Sequence, residues 1–504
     1  ATVYFVYSPR MSVHIRVVLL SGHDSILEVV NAATGAAVRS QAQKAFGCKI
    51  SSLVTAAGEV LQPWASVDSV GIREGDTLTA IVRLPKLASS QTAIAFLDVD
   101  GDVMAWGDPQ GGGDVRNVIG LHHVVSLQGS YGAFAALRWD GSVVTWGSEE
   151  SGGDSSHVQE QLHDVRAIQA NCEAFAALLE DGSVVCWGSN DSGGDTTSVD
   201  DALVDVQHIQ ASEFAFAAIR ADGTVVAWGH PYYGGDSSAV QNHLTSVTCI
   251  QANAGGFAAI RRDGSVVSWG KPEDGGDSRA VQHQLRDVQQ IQANTLAFAA
   301  IRADGSVVTW GDPEAGGDSN RVQKELKDVQ SIVGSHAAFA AIRRDGSVVT
   351  WGDADLGGDS TEVQQRLVQV TDIQATYNSF AAITSAGTVV AWGCSPLGGD
   401  CSAVQDQLWG VQQIQASSSA FAAVRADGAV ITWGSKDSGG DSSRVKDELM
   451  QVREVQASAR AFAALRADGF VITWGSATDG GDGKAALDVA LQNSKPRPPD
   501  AYKQ

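Results

Sequence analysis

The sequence predicts a mainly β fold, ten consecutive three-stranded units of about 41 residues preceded by a small α+β domain. Three observations carry this. Trp-Gly recurs at Trp106, Trp146, Trp187, Trp228, Trp269, Trp310, Trp351, Trp392, Trp433 and Trp474, spaced by 40 residues once and by 41 eight times. Each period holds short apolar runs divided by turn residues rather than one long helical pattern. Residues 12–83 lack the repeat and alternate strand-like and helix-like segments instead.

Within residues 12–83 the order of elements is legible. Val13–Leu19 is apolar and β-rich, Ser21-Gly22-His23-Asp24 is a turn, and Ser25–Val30 is the returning strand. Thr34–Phe46 has helical spacing, with Val38, Ala42 and Phe46 at i, i+4 and i+8. Leu53–Thr55 is a short strand and Ala57-Gly58-Glu59 a turn. Asp76–Val82 is a last strand, with Leu78, Ala80 and Val82 on one face and Thr77, Thr79 and Ile81 on the other.

The unit from Val288 to Gln323 shows what each repeat contains. Val288–Ala293 and Ala297–Arg302 are short apolar segments, read as strands. Asp304-Gly305 joins the second to Ser306–Gly311, the third strand, because Gly supplies the positive φ a tight hairpin needs. Gly316-Gly317-Asp318 then reverses the chain. A short helix is expected next, since Val240, Leu244 and Val247 of the fourth unit form one apolar stripe. Ser156, Thr197, Ser238, Asn320, Thr361, Ser402 and Ser443 are placed to cap it, with capping-box partners such as Gln159, Gln241, Gln364 and Gln405. Three strands cannot bury both faces alone, so neighbouring units must stack.

Composition narrows the functional classes. The 504 residues carry a net charge of −23 with 18% charged and 43% hydrophobic residues, a globular and acidic chain. Residues 1–86 hold 8 Lys/Arg against 6 Asp/Glu, so the repeats carry −25. Such a surface repels phosphate, so no nucleic-acid partner is expected. No run approaches the ~18 apolar residues of a membrane helix, so no integral membrane contact is expected. Six Cys are too few for a disulfide scaffold. Cys172 and Cys186, or Cys394 and Cys401, lie close enough in sequence to pair, but free thiols are the expectation for a cytoplasmic chain. Residues 1–11 are read as an extension without the pattern of a signal peptide, and a targeting peptide removed upstream would alter the cytoplasmic reading.

The first domain resembles ubiquitin, through Leu19-Leu20-Ser21-Gly22, Ala57-Gly58-Glu59-Val60-Leu61 and Gly75-Asp76-Thr77-Leu78. The resemblance implies a β-grasp domain over 12–83. It departs where it matters for conjugation: the last strand runs on through Ile81–Lys86, with no diglycine. Thr55 stands where ubiquitin's recognition patch centres on an isoleucine, with Leu20 and Ile81 at flanking positions, so weak recognition by ubiquitin receptors is implied.

The repeats, exemplified by Phe298–Gly311, resemble those of the regulator of chromosome condensation family, whose core reads Ala-Leu-x-x-Asp-Gly-x-Val-x-x-Trp-Gly. The resemblance implies a propeller-like array with one blade per repeat over 84–493, followed by a disordered tail at 494–504. The short period is closer to the compact variant of a propeller-type β-lactamase inhibitor protein. Two departures stand out. Gly-Gly-Asp replaces the family's Gly-Gln-Leu-Gly, and there are ten units where seven blades is the family norm. Ten units can close as one wide ring, close as a smaller ring with units left over, or run as an open spiral. The closed ten-unit ring is the expectation. Leu84–Ser89 fills the first-strand slot of the first unit, which implies a rigid fusion of the two domains. Ile94 and Asp98 replace the usual Phe and Arg there, and the last helix, Lys484–Leu491, is also atypical.

No catalytic constellation, metal site or cofactor motif is present in the sequence. The repeated Trp146, Trp187, Trp228, Trp269, Trp310, Trp351, Trp392, Trp433 and Trp474, and the Gly-Gly-Asp sets, are read as packing and loop closure. One carboxylate per Gly-Gly-Asp gives too few oxygens for calcium. Function is therefore expected in what varies between units. One variable window precedes the Phe (Tyr131, Glu173, Glu213, Tyr377, Arg460). The other follows Trp-Gly (Glu149-Glu150, His230-Pro231-Tyr232-Tyr233, Lys271-Pro272-Glu273-Asp274, Lys436-Asp437). Tyr131, His230, Tyr232, Tyr233 and Tyr377 are the candidate contacts for a protein partner. The expected function is a non-enzymatic scaffold. The resemblances also imply two alternatives: a substrate adaptor among ubiquitin-pathway components, as in repeat-bearing ligases of the HERC type but without their catalytic domain, or a guanine-nucleotide exchange factor for a small GTPase.

Overall fold

The computed structural model describes residues 12–19, 24–46, 50, 52–62, 65–81, 86–468 and 470–482. The expectations for residues 1–11, for the helix at 484–491 and for the tail at 494–504 lie outside these. The chain divides into two compact units, residues 1–86 with 97–103 and 491–504, and residues 87–96 with 104–490.

In the smaller unit, β1 (Ser12–Leu19) and β2 (Asp24–Val30) form an antiparallel pair, followed by α1 (Gly35–Phe46), β3 (Ser52–Val54) and β4 (Thr77–Ile81). The sheet order is β2-β1-β4-β3, with β1 and β4 parallel at the centre. This is the β-grasp arrangement. Alternation decides the faces: Ile15 and Val17 of β1 and Leu78 and Ala80 of β4 are buried under Val38 and Ala42 of α1. Thr34 starts the helix, its Oγ1 accepting from the Ala37 N–H at 3.4 Å.

The larger unit holds ten three-stranded antiparallel sheets. In the sixth, the strands are Val288–Ala293, Ala297–Arg302 and Val307–Gly311. The middle strand is buried along both faces, which is why it reads as a continuous apolar run. Its alternation still sorts the neighbours. In the third blade Phe175, Ala177 and Leu179 face the blade before, and Ala174, Ala176 and Leu178 face the blade after. A large residue on one face meets alanines on the facing blade, so the sheets stack closely. First strands of adjacent blades lie against each other and form the axial wall.

A repeated lock joins the blades. Each Trp ring stacks on the Phe of its own middle strand, as in Phe298–Trp310 with centroids 5.3 Å apart. The same indole N–H donates to the carbonyl of the first Gly of the preceding Gly-Gly-Asp, as from Trp310 to Gly275 at 3.0 Å. Gly275 has φ of 99°, and a Cβ there would stand 2.7 Å from the Phe298 ring. The Trp, the Phe and the first Gly thus recur together because each serves the same seam. The first blade repeats the bond across the ends of the array: Trp106 donates to Gly480 of the last Gly-Gly-Asp at 2.8 Å. Ile94, standing in the Phe slot, packs with Phe96, Trp106, Ala463 and Leu465. The ten blades close as one ring.

One expectation needs correction. The stretch after Gly-Gly-Asp is not an α-helix. It is a 3₁₀ turn at Ser156–Gln161, Gln241–His243 and Ser402–Gln407, for example, and turns in other blades. The Gly-Gly-Asp carboxylate sets this, since Asp154 Oδ1 accepts from the Ser156 N–H at 2.8 Å and turns the chain after two residues. Ser156, Thr197, Ser238, Asn320, Thr361, Ser402 and Ser443 are therefore donors to the Asp rather than caps. The capping-box pairing is off by one residue. Gln159 Oε1 accepts from Ser155, and its Nε2 donates to Val143 of the third strand, which ties the turn to its own blade. Leu244 and Val247 are still buried between blades, so the apolar stripe exists without the helical period. Cys172, Cys186, Cys394 and Cys401 are all free thiols, as expected, so neither candidate pair forms.

Candidate protein-binding face

Antiparallel pairing brings the two variable windows to one end of every blade. The first strand runs toward that end, the second leaves it, and the third returns. In the fourth blade Ala215, just after the turn, pairs with Gly229, just before the loop. The opposite end carries the Asp-Gly turns. There Asp304 Oδ1 takes both the N–H and the hydroxyl of Ser306, and the hydroxyl bond helps hold the carboxyl below its ordinary range.

The turn that opens the middle strand is built on a small polar residue that the sequence reading passed over. Ser130, Asn171, Ser212, Asn253, Asn294, Ser335, Ser417 and Ser458 are all buried. Each reaches 21 residues ahead to a loop carbonyl: Asn171 Nδ2 to Ser192 at 2.6 Å, Ser212 Oγ to Tyr233 at 2.9 Å, Asn253 Nδ2 to Asp274 at 2.6 Å. One buried bond thus fixes the two windows to each other. A recurrent Ser or Asn one position before the variable residue was the available signal.

The next residue in the turn carries a second device. Its N–H donates to the carbonyl of the equivalent residue of the following blade. The chain of bonds runs from Gln91 through Tyr131, Cys172, Glu213, Ala254, Thr295, His336, Tyr377 and Ser418 to Ala459, at 2.9–3.4 Å. These positions differ in side chain but share one backbone girdle, so the variable side chains stand on a rigid rim.

The side chains on this rim differ by sector. Over blades two to five, Tyr131 is 55% exposed and Tyr232 is 48% exposed. Tyr233 is half-buried, edge-on to Phe214 at 4.9 Å and to His230 at 5.0 Å. The His230 Nδ1 accepts from the Tyr232 N–H at 3.3 Å, and the Tyr232 hydroxyl donates to Glu273 at 3.2 Å. Glu173 accepts from Ser192 at 2.8 Å, and Asp274 is buried against Lys271 at 3.0 Å. Burial, then the charge of Asp274, pushes the Glu213 carboxyl above its ordinary range. Burial, then the Glu213 and Glu173 charges, pushes the Cys172 thiol up to about 12, so it is an inert thiol at neutral pH.

Over the remaining arc the turns that open the middle strands carry no carboxylate, while the loops carry Glu314, Asp355 and Asp437. Tyr377, 55% exposed, lies edge-on to His336 at 5.6 Å, and His336 Nδ1 meets the Thr295 hydroxyl at 3.0 Å. With Ser335, Thr376, Ser417 and Ser458 they line an open depression of about 330 Å³. Tyr131, His230, Tyr232, Tyr233 and Tyr377 therefore all sit on one end of the array, and Tyr377 stands apart from the other four. Trp146, Trp187, Trp228, Trp269, Trp310, Trp351, Trp392, Trp433 and Trp474 are all buried and bonded to the preceding blade. In the smaller unit Thr55 is half-buried, while Leu20 and the Ile81 side chain lie outside the described residues. No group of three His, Cys, Asp or Glu side chains that could hold a metal ion occurs among the described residues. Nor is any helix there long and apolar enough to cross a membrane.

No family model matches the chain, and neither does any curated protein. Among solved structures the chain is similar to the computationally designed Ika8 protein, at 16% identity and TM-score 0.30 over 62% of this chain and 96% of that one. It is also similar to yeast RCC1 (Prp20), solved bound to Kap60, at 16% identity and TM-score 0.31 over 49% and 74%. A third likeness is to the ubiquitin of Caldiarchaeum subterraneum, at 26% identity and TM-score 0.14 over 14% and 95%. The blade pairing and the ring of Trp-to-Gly bonds assign the fold by themselves: in architecture the chain is a repeat β-propeller of the kind its motifs imply.

Proposed function

We propose that the chain is a scaffold that binds a protein partner with the end of the propeller carrying both variable windows. One observation carries this reading: the windows differ from blade to blade, yet buried Ser and Asn side chains and a backbone girdle fix them on one rim. Exposed tyrosines on rigid turns bury large area with little loss of side-chain freedom, which is the chemistry of an interaction surface. The adaptor and nucleotide-exchange alternatives draw on no feature of this rim. Affinity capture with the full chain, beside a Tyr232→Ala/Tyr233→Ala variant, tests the reading. A discrete partner retained by the chain and lost by the variant is expected. Partners retained equally by both would place binding elsewhere.

A further inference from the structure

The aromatic side chains of the rim are not evenly surrounded. Glu173, Glu213 and Glu273 stand in the same sector as Tyr131 and Tyr232, on four consecutive blades. They form one connected patch. The Tyr131 N–H donates to Cys172 and the Cys172 N–H to Glu213, at 2.9 and 3.1 Å. Glu213 senses the charges of both Asp274 and Glu173, and Tyr232 bonds Glu273. Lys271 pairs with Asp274, and its charge also reaches Glu213 and Glu273. Among the described residues none of Glu173, Glu213 and Glu273 is in an ion pair. On the other arc the turns offer Thr295, Tyr377 and Ser418 without a carboxylate, and acidic side chains are confined to its loops, as at Glu314, Asp355 and Asp437.

We propose that this acidic and aromatic arc docks a Lys- or Arg-bearing segment of the partner protein. Charge complementarity selects the occupant. A cation seated here meets four carboxylates, Glu173, Glu213, Glu273 and Asp274, served by one ammonium, Lys271, and the tyrosine faces attract it as well. The chain shows the same preference internally, where the Arg425 guanidinium lies 3.3 Å over the Trp409 ring. A neutral segment would gain the aromatic contact but leave the carboxylates partly desolvated and unpaired, which costs affinity. This proposal rests on the binding-face reading above and adds the partner's chemistry.

Selection of phage-displayed random dodecapeptides on the immobilised full chain tests it. Selected peptides should be enriched in Lys and Arg, and a representative one should bind more weakly as salt rises from about 50 to about 300 mM. Binding should fall about tenfold or more in Glu173→Gln/Glu213→Gln/Glu273→Gln. It should change by less than about twofold in Glu325→Gln/Glu362→Gln/Asp447→Asn, which removes equal charge from exposed inter-blade turns. Equal loss in both variants means bulk attraction to an acidic protein and overturns the proposal, as does recovery of no specific peptide. Peptides without basic enrichment that are lost in Tyr232→Ala/Tyr233→Ala overturn it while leaving the binding face intact. Peptides indifferent to every one of these changes overturn both readings.

Discussion

At the residue scale, the recurrent side chains are explained by one seam. The Trp310 indole N–H is buried and bonded to Gly275, so Trp310→Phe keeps the ring stacking but leaves the Gly275 carbonyl without its donor. A loss of about 1–3 kcal/mol is expected, read as a lower denaturation midpoint with an unchanged slope. Gly275→Ala should cost at least as much, because its Cβ meets the Phe298 ring at 2.7 Å from a left-handed backbone. Asp98, which replaces the usual Arg, gives a pH-dependent case. Burial raises its carboxyl from 3.8 to about 6, against the opposing N–H bond from Asp102. Between those values the folded chain keeps a proton that the unfolded chain has lost. Stability therefore falls as pH rises through that window and levels off above it. Asp98→Asn should match the parent in thermal melts near pH 4 and exceed it near pH 7.

At the element scale, the strands were legible and the segments after them were not. Asp-Gly and Trp-Gly bracket each hairpin with local signals, so the third strand could be placed from sequence. The stretch after Gly-Gly-Asp carries an apolar stripe that a helix and a 3₁₀ turn share over so few residues. What decides between them is the Asp154 carboxylate, a side-chain bond with no periodicity to read. The candidate site divides the same way. The exposed tyrosines were visible as variation between units. The buried Ser or Asn that ties turn to loop was hidden, because it recurs and looks structural. Its role is testable at Asn253, whose amide holds the Asp274 carbonyl and whose Oδ1 accepts from Gly255. Asn253→Ala should cost about 1–2 kcal/mol. It should also speed amide hydrogen exchange at Lys271–Asp274 more than at the neighbouring blades.

At the scale of the whole molecule, ten units of nearly one length satisfy one another around a ring, and the first unit departs from the seam pattern at Ile94. Ile94 stands in for the Phe, and Trp106 still completes the seam with Gly480. In a closed ring the last seam is equivalent to any other. Trp106→Phe should therefore destabilise about as much as Trp310→Phe and leave a single cooperative transition. An open array would instead fray at its ends, and the Trp106 change would be nearly silent. Closure matters for function because it holds the variable windows of all ten blades on one rim at fixed spacing.

The central claim is that this rim binds the partner. Hydrogen–deuterium exchange of the full chain with and without its captured partner tests it most directly. The account predicts slowed exchange at the turns around Tyr131, Cys172 and Glu213 and the loops around Tyr232 and Glu273, with the Asp-Gly turns of the other end unchanged. Protection confined to the Asp-Gly end, or to residues 12–81, would contradict it.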